Sequence, residues 1–142
     1  MFRTLDETIM VAPQIGTDAV AEAVGMGVTL IINNRPEGES DDQVPGAEIE
    51  AAARAAGIDY VAIPITHSGF SEQQVAAMSD ALENATGRVL AYCRSGTRST
   101  LLWALAQSAL GEHPAILAEK AANAGYDLAP VAPLMEILRA KA

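Results

Sequence analysis

The chain has 142 residues and carries 18 acidic against 9 basic side chains, a formal net charge of −9. This acidic balance argues against nucleic acid or an anionic membrane as a partner, because both require a basic face. The length suits one domain, residues 1–142, with one core. A single cysteine leaves no internal disulfide, and the apolar stretches are too short to span a bilayer. We therefore expect a soluble cytoplasmic protein.

Short apolar runs alternate with helical patterns along the chain. Strands are predicted at 8–12, 29–33, 60–65 and 88–92, and helices at 17–26, 47–56, 71–85, 97–110, 114–123 and 132–141. The first helix has Thr17 as its expected N-cap, and the helix from Ser71 has a capping box with Gln74. Alternation of this kind predicts an α/β fold of three layers, with a mostly parallel central sheet flanked by helices.

One segment, Cys93-Arg94-Ser95-Gly96-Thr97-Arg98-Ser99, stands between the last predicted strand and an apolar helix. Ligands of parallel sheets bind beyond the carboxyl ends of the strands, which is where this loop lies. Successive backbone N–H groups of such a loop form a nest for an anion, and the helix that follows adds partial positive charge. Gly96 can adopt the positive φ that a tight loop requires. The segment is therefore predicted to be an anion-binding cradle.

Cys93 is the predicted nucleophile, because the field that binds an anion also stabilises a thiolate. Arg98 is the second predicted catalytic residue, since its guanidinium can fork onto two ligand oxygens. The remaining predicted anion-binding residues are Arg94, Ser95, Gly96, Thr97 and Ser99. A solvated surface side chain explains Arg94 equally well, and Ser99 suits either a helix cap or a hydroxyl donor to the thiolate. An inert buried thiol is the alternative for Cys93, but its motif context favours catalysis.

The segment 89–99 looks like the active-site loop of rhodaneses and of cysteine-dependent phosphatases. Segments 10–15, 31–39, 63–65 and 71–75 resemble the second group. Nearly the whole chain thus resembles the phosphatase-like domain of beta-lactamase hydrolase-like proteins. The resemblance implies a cysteine-phosphatase-like fold. It also implies that the domain stands alone or is joined to a sulfur dioxygenase of the metallo-β-lactamase type, which would here be a partner on a separate chain.

Two features depart from the tyrosine phosphatase pattern. Only four residues separate Cys93 from Arg98, where those phosphatases have five, and this shorter loop is the one rhodaneses carry. The loop 66–70, where a general acid is expected, holds no aspartate. His67 is a candidate general acid, although an ordinary loop histidine is the preferred interpretation, and Asp42 is a more distant candidate. Both departures favour sulfur transfer, because the sulfite released from thiosulfate departs without needing a proton.

Three functions follow from these observations. The first is a rhodanese-type sulfurtransferase that takes sulfur from thiosulfate or a persulfide onto Cys93, with a small oxyanion or thiol as substrate. The alternative is a dual-specificity or tyrosine-type phosphatase that hydrolyses phosphomonoesters through a phosphocysteine. The third is a non-catalytic anion-binding or redox-sensing module. No cofactor is expected, and no metal, because His67 and His113 are the only histidines and show no ligand spacing.

Overall fold

The computed structural model describes all 142 residues. It consists of a five-stranded sheet flanked by six α-helices. The strands are β1 (Arg3–Thr4), β2 (Ile9–Ala12), β3 (Val28–Asn33), β4 (Asp59–Ala62) and β5 (Arg88–Tyr92). The helices are α1 (Ala19–Gly25), α2 (Gly46–Ala55), α3 (Glu72–Asn84), α4 (Thr97–Ala109), α5 (Pro114–Asn123) and α6 (Ala132–Ala140). A short 3-10 turn, Ala129–Val131, leads into α6.

The strand order is β1-β2-β5-β3-β4, with β2, β5, β3 and β4 parallel and β1 antiparallel at the edge. The predicted α/β class with a mostly parallel sheet is confirmed. Strand β1 was not predicted, because two residues are too short to show an alternating pattern. Helices cover both faces of the sheet at β5, so the side chains on both faces of this strand are buried, which explains its continuous apolar run.

Alternate residues of the strands build two cores, one on each face of the sheet. On one face, Val89 and Ala91 of β5 pack with Trp103 from the middle of α4, and α3, α5 and α6 complete this larger core. On the other face, Leu90 and Tyr92 pack beneath α1 and α2. Helix α4 is buried along most of its length, and its packing fixes the position of the cysteine loop at its N-terminus.

Two helix starts test the local predictions. The capping box of α3 is present: the Ser71 hydroxyl accepts from the Gln74 N–H, and the Gln74 side chain accepts from the Ser71 N–H. The cap predicted at Thr17 is wrong, because α1 begins after Asp18, which makes no side-chain cap. None of the helices combines the length and the apolar character that a membrane crossing requires.

Candidate active site

Three neighbouring strands end at the same edge of the sheet. Ala12 of β2 and Asn33 of β3 both lie in register with Tyr92, the last residue of β5. The residues that follow these three strand ends therefore meet, as the carboxyl ends of parallel strands do. Cys93 follows β5 directly, and its N–H donates to the Ala12 carbonyl at 3.4 Å.

Cys93 is fully buried at the base of the predicted cradle. The Gly96 N–H donates to its Sγ, with 3.1 Å between nitrogen and sulfur. Gly96 has a φ of +90° and precedes the first residue of α4, so it makes the turn that brings its N–H back to the sulfur. The positive end of a helix and a backbone donor therefore both act on this thiol.

Several other N–H groups of the loop have no acceptor within the protein. They belong to Arg94, Ser95, Arg98 and Ser99. Unpaired N–H groups at a helix start are satisfied by water or by a ligand, and here they belong to the loop that begins at a buried thiol. Free N–H groups of this kind are what an anion-binding nest requires, and the anion-binding role itself stays a prediction.

Arg98 uses one edge of its guanidinium for the protein and leaves the other free. Nη1 donates to Glu39 Oε2 at 2.6 Å and to the Ile65 carbonyl at 2.9 Å, and Nη2 donates to Glu39 Oε1 at 2.9 Å. The Nε–H and the second hydrogen of Nη2 donate to no protein oxygen, and these two donors form a parallel pair. The glutamate raises the pKa of Arg98 most, burial opposes it, and the neighbouring Cys93 side chain raises it further, in part as a hydrogen-bond acceptor. The fork predicted for a ligand is thus available beside Cys93 on this second edge.

Glu39 forms ion pairs with both Arg98 and Arg35, and the sequence predicted neither of them. Its Oε1 also accepts from Arg35 Nε at 2.9 Å. Arg35 is itself buried, with its other donors bound by Gln14 Oε1 and Ser40 Oγ. The hydrogen bond from Arg98 lowers the pKa of Glu39 most, burial opposes it and Arg35 adds to the lowering, which brings the value to about 2. Glu39 is therefore a carboxylate at neutral pH, held between two cations.

The hydroxyl of Ser99 does not serve either predicted role. It is buried and donates to Asn34 Oδ1 at 2.7 Å, while Asn34 Nδ2 donates to the Ile63 carbonyl at 2.9 Å. A hydroxyl with one hydrogen cannot also donate to the thiolate, and α4 has no side-chain cap. Ser99 instead ties α4 to the end of β3, which leaves its backbone N–H as the contribution to the nest.

The outer part of the loop is exposed. Ser95 Oγ donates to Thr97 Oγ1 at 3.0 Å, and the Thr97 N–H donates weakly back to Ser95 Oγ at 3.4 Å. The Arg94 side chain is exposed and makes no hydrogen bond. Its carbonyl accepts from the Gln14 N–H at 3.3 Å, which fixes the backbone but not the guanidinium. Arg94 therefore differs from Arg98, which is held on one edge and partly buried.

Neither candidate general acid is built into the cradle by a hydrogen bond. His67 is exposed, two residues beyond the Ile65 carbonyl that binds Arg98. Asp42 is exposed and accepts from Ser40 Oγ at 2.6 Å. That hydrogen bond, helped by a backbone bond and by the charges of Arg35 and Arg94, lowers the pKa of Asp42. A lowered pKa favours the carboxylate, the form that cannot donate a proton.

The fold is that of cysteine phosphatase-like proteins. A candidate phosphatase from Neisseria meningitidis superposes with a TM-score of 0.81 and 29% identity, over 99% of this chain and 97% of that one. TpbA from P. aeruginosa, solved in complex with pTyr, gives a TM-score of 0.62 at 17% identity, over 84% of this chain and 70% of that one. At that identity the second likeness shows the fold alone.

Residues 1–110 match the family model of the phosphatase-like domain of beta-lactamase hydrolase-like proteins, and the chain belongs to this family. A beta-lactamase hydrolase-like protein of Xylella fastidiosa is 36% identical over 104 residues, and one of Agrobacterium fabrum is 32% identical over 104 residues. Each match covers about 72–73% of this chain but 24% of the relative, so the chain spans about a quarter of the length of these curated relatives.

These findings confirm the family resemblance and favour the phosphatase interpretation over sulfur transfer. The structural neighbours are phosphatases and phosphatase-like proteins, and the family model carries the same description. The roles predicted for the individual residues of the loop stay predictions.

Proposed function

We propose that this domain is a cysteine-dependent phosphatase in which Cys93 forms a phosphocysteine. The observation that carries the proposal is the free edge of Arg98, whose Nε and Nη2 donors remain available beside a thiol that already receives the Gly96 N–H. Two parallel N–H donors match two oxygens of a phosphoryl group. The unpaired N–H groups of the loop supply further donors where negative charge is greatest.

The reaction proceeds in two displacements. The Cys93 sulfur attacks phosphorus, an S–P bond forms, and the bond from phosphorus to the ester oxygen breaks with its electron pair on the leaving oxygen. A water molecule then attacks phosphorus and gives its proton to solvent. The S–P bond breaks, inorganic phosphate leaves and the thiolate is restored. Arg98 and the loop N–H groups bind the equatorial oxygens in both steps.

The leaving group decides which substrates suit this site. General acid catalysis contributes about 10²–10⁴ in rate and matters most for strongly basic leaving groups such as alkoxides. Asp42 is held as a carboxylate and His67 lies in an exposed turn. We therefore expect the best substrates to be phosphoryl compounds with weakly basic leaving groups, such as aryl phosphates.

Sulfur transfer is the second candidate, and the four-residue spacing between Cys93 and Arg98 favours it. In that reaction Sγ attacks the outer sulfur of thiosulfate, the S–S bond breaks and sulfite leaves with the electron pair. A thiol or cyanide then removes the sulfur from the Cys93 persulfide. A sulfur dioxygenase on a separate chain would be a partner for this activity.

Parallel assays separate the two candidates. Wild type and Cys93→Ala are compared on p-nitrophenyl phosphate, on an alkyl phosphate, and on thiosulfate with cyanide. The proposal expects turnover of the aryl phosphate that Cys93→Ala abolishes, with the same melting temperature in both proteins. Thiosulfate turnover without aryl phosphate turnover would establish the second candidate. Full aryl phosphate turnover by purified Cys93→Ala would refute the phosphocysteine mechanism, and full thiosulfate turnover by the same variant would refute the persulfide mechanism.

A further inference from the structure

The peptide bond between Ser95 and Gly96 is held on both of its sides. Its N–H, on Gly96, donates to Cys93 Sγ at 3.1 Å. Its carbonyl oxygen, on Ser95, accepts from the Tyr126 hydroxyl at 3.1 Å. The chain has no cis peptide bond, and in a trans peptide the N–H and the C=O point in opposite directions from one plane. Whatever fixes the Ser95 carbonyl therefore also fixes the direction of the Gly96 N–H.

This peptide plane is free to rotate unless something holds it. Gly96 has a φ of +90°, and glycine occupies both signs of φ with little steric cost. A rotated plane would turn the N–H away from Cys93 and direct the carbonyl oxygen, the negative end of the dipole, toward the thiolate. The Tyr126 hydroxyl also packs directly against the Gly96 backbone, where a Cβ would collide with it.

Tyr126 is itself fixed from outside the loop. It follows α5, beyond the residues that match the family model. The Arg3 guanidinium lies 5.4 Å above the centre of its ring, and Arg3 Nη1 donates to the Ala124 carbonyl at 2.9 Å. Burial raises the pKa of Tyr126, the charge of Arg3 opposes this and the nearby Cys93 adds to the rise, so the hydroxyl stays protonated and able to donate.

We propose that Tyr126 is a positioning residue that clamps the Ser95–Gly96 peptide and thereby directs the Gly96 N–H at Cys93 and at an anion bound there. The inference rests on the proposed function only in taking Cys93 as the nucleophile. The other charged groups at the thiol are Arg98, from α4, and Glu39 behind it. Neither contacts Tyr126 through a hydrogen bond, so removing the Tyr126 hydroxyl tests the clamp alone.

The test compares Tyr126→Phe with Ser108→Ala, a matched loss of a hydroxyl that donates to a backbone carbonyl, here that of Ala104, near the end of α4 that lies away from the cysteine loop. The pH midpoint of Cys93 alkylation by iodoacetamide is measured for both variants and for wild type. A net hydrogen bond supports about a twofold to tenfold preference for the held peptide. We expect Tyr126→Phe to raise the midpoint by about 0.5–1 pH unit. We expect it to lower kcat by about threefold to tenfold, which is the same free energy expressed as a rate. Ser108→Ala should change neither the midpoint nor kcat.

Equal midpoints in wild type and Tyr126→Phe would overturn the clamp, even where kcat falls, because Tyr126 would then act by another route. Should that variant unfold, Arg3→Gln supplies a second test, because it releases the Tyr126 ring from outside the loop and leaves the hydroxyl in place: an alkylation midpoint equal to that of wild type overturns the inference. Alkylation of Cys93 requires no turnover. The alkylation result can therefore contradict the role of Tyr126 while the phosphatase activity is confirmed, and it can support that role while the phosphatase activity is refuted.

Discussion

Two arginine–glutamate ion pairs of this molecule differ in their exposure to solvent and in the elements that they join. Arg54 and Glu50 pair within α2 at 2.9 Å, with 55% and 41% of their side chains exposed. Arg98 and Glu39 pair across the site at 2.6 Å, with 22% and 20% exposed, and Glu39 also binds Arg35. The surface pair joins two flexible side chains of one helix turn and contributes little. The pair at the site joins α4 to the loop after β3 and sets which edge of Arg98 faces the cradle.

Arg98→Lys should give the largest effect, because a lysine offers one point of charge where Arg98 binds Glu39 with one edge and a ligand with the other. We expect a loss of about 10²–10³ in kcat/KM on an aryl phosphate. Arg54→Lys, in the surface pair, and Arg94→Lys, in the exposed part of the loop, should stay within about twofold of wild type. Equal losses in Arg94→Lys and Arg98→Lys would show that the roles of the two arginines are wrongly assigned.

Glu39→Gln should have the next largest effect, because it removes the charge that orients Arg98 while it keeps the size of the side chain. Hydrogen bonds to charged groups contribute about 1.5–3 kcal/mol, so a loss of about 10- to 100-fold in kcat/KM is expected. Glu50→Gln is the matched control on the surface and should leave the kinetics unchanged. Glu39→Gln with wild-type kinetics would mean that Arg98 is positioned without this carboxylate.

The pH dependence of stability should show the smallest effect. The pKa of Glu39 falls from 4.5 to about 2 on folding, so the folded state binds its proton less readily than the unfolded state does. Its stabilisation is fully present above pH ~4.5 and is lost as the pH falls toward ~2. The difference in free energy of unfolding between wild type and Glu39→Gln should therefore shrink across this window in urea titrations. A difference that stays constant from pH 6 to pH 2 would contradict the assigned pKa direction.

The sequence was sufficient where local chemistry decides the structure. The continuous apolar run of β5, the glycine at the turn and the apolar helix after it placed the cysteine loop at the correct edge of the sheet. The capping box of α3 was equally local. These features depend on residues within a few positions of one another, so their pattern can be read without knowing the rest of the fold.

The partners of the loop could not be predicted in the same way. Glu39 stands in a loop with four acidic residues, and nothing in that local pattern singles it out. It meets Arg98 only because the ends of β3 and β5 are in register, 59 residues apart in the chain. Tyr126 contacts Ser95 across 31 residues, from a turn whose composition indicates nothing about the site. The bond between Ser99 and Asn34 is likewise a consequence of the sheet order. Each of these contacts exists only once the tertiary structure has formed.

The central claim is that Cys93 carries the phosphoryl group, and trapping the intermediate tests it most directly. Wild type is mixed rapidly with p-nitrophenyl phosphate, quenched in denaturant at alkaline pH and digested, and the mass of the peptide that contains Cys93 is measured by mass spectrometry. We predict the added mass of one phosphoryl group on that peptide, absent from Cys93→Ala treated identically. Turnover of the aryl phosphate with no phosphoryl group on Cys93 at any quench time would contradict the account.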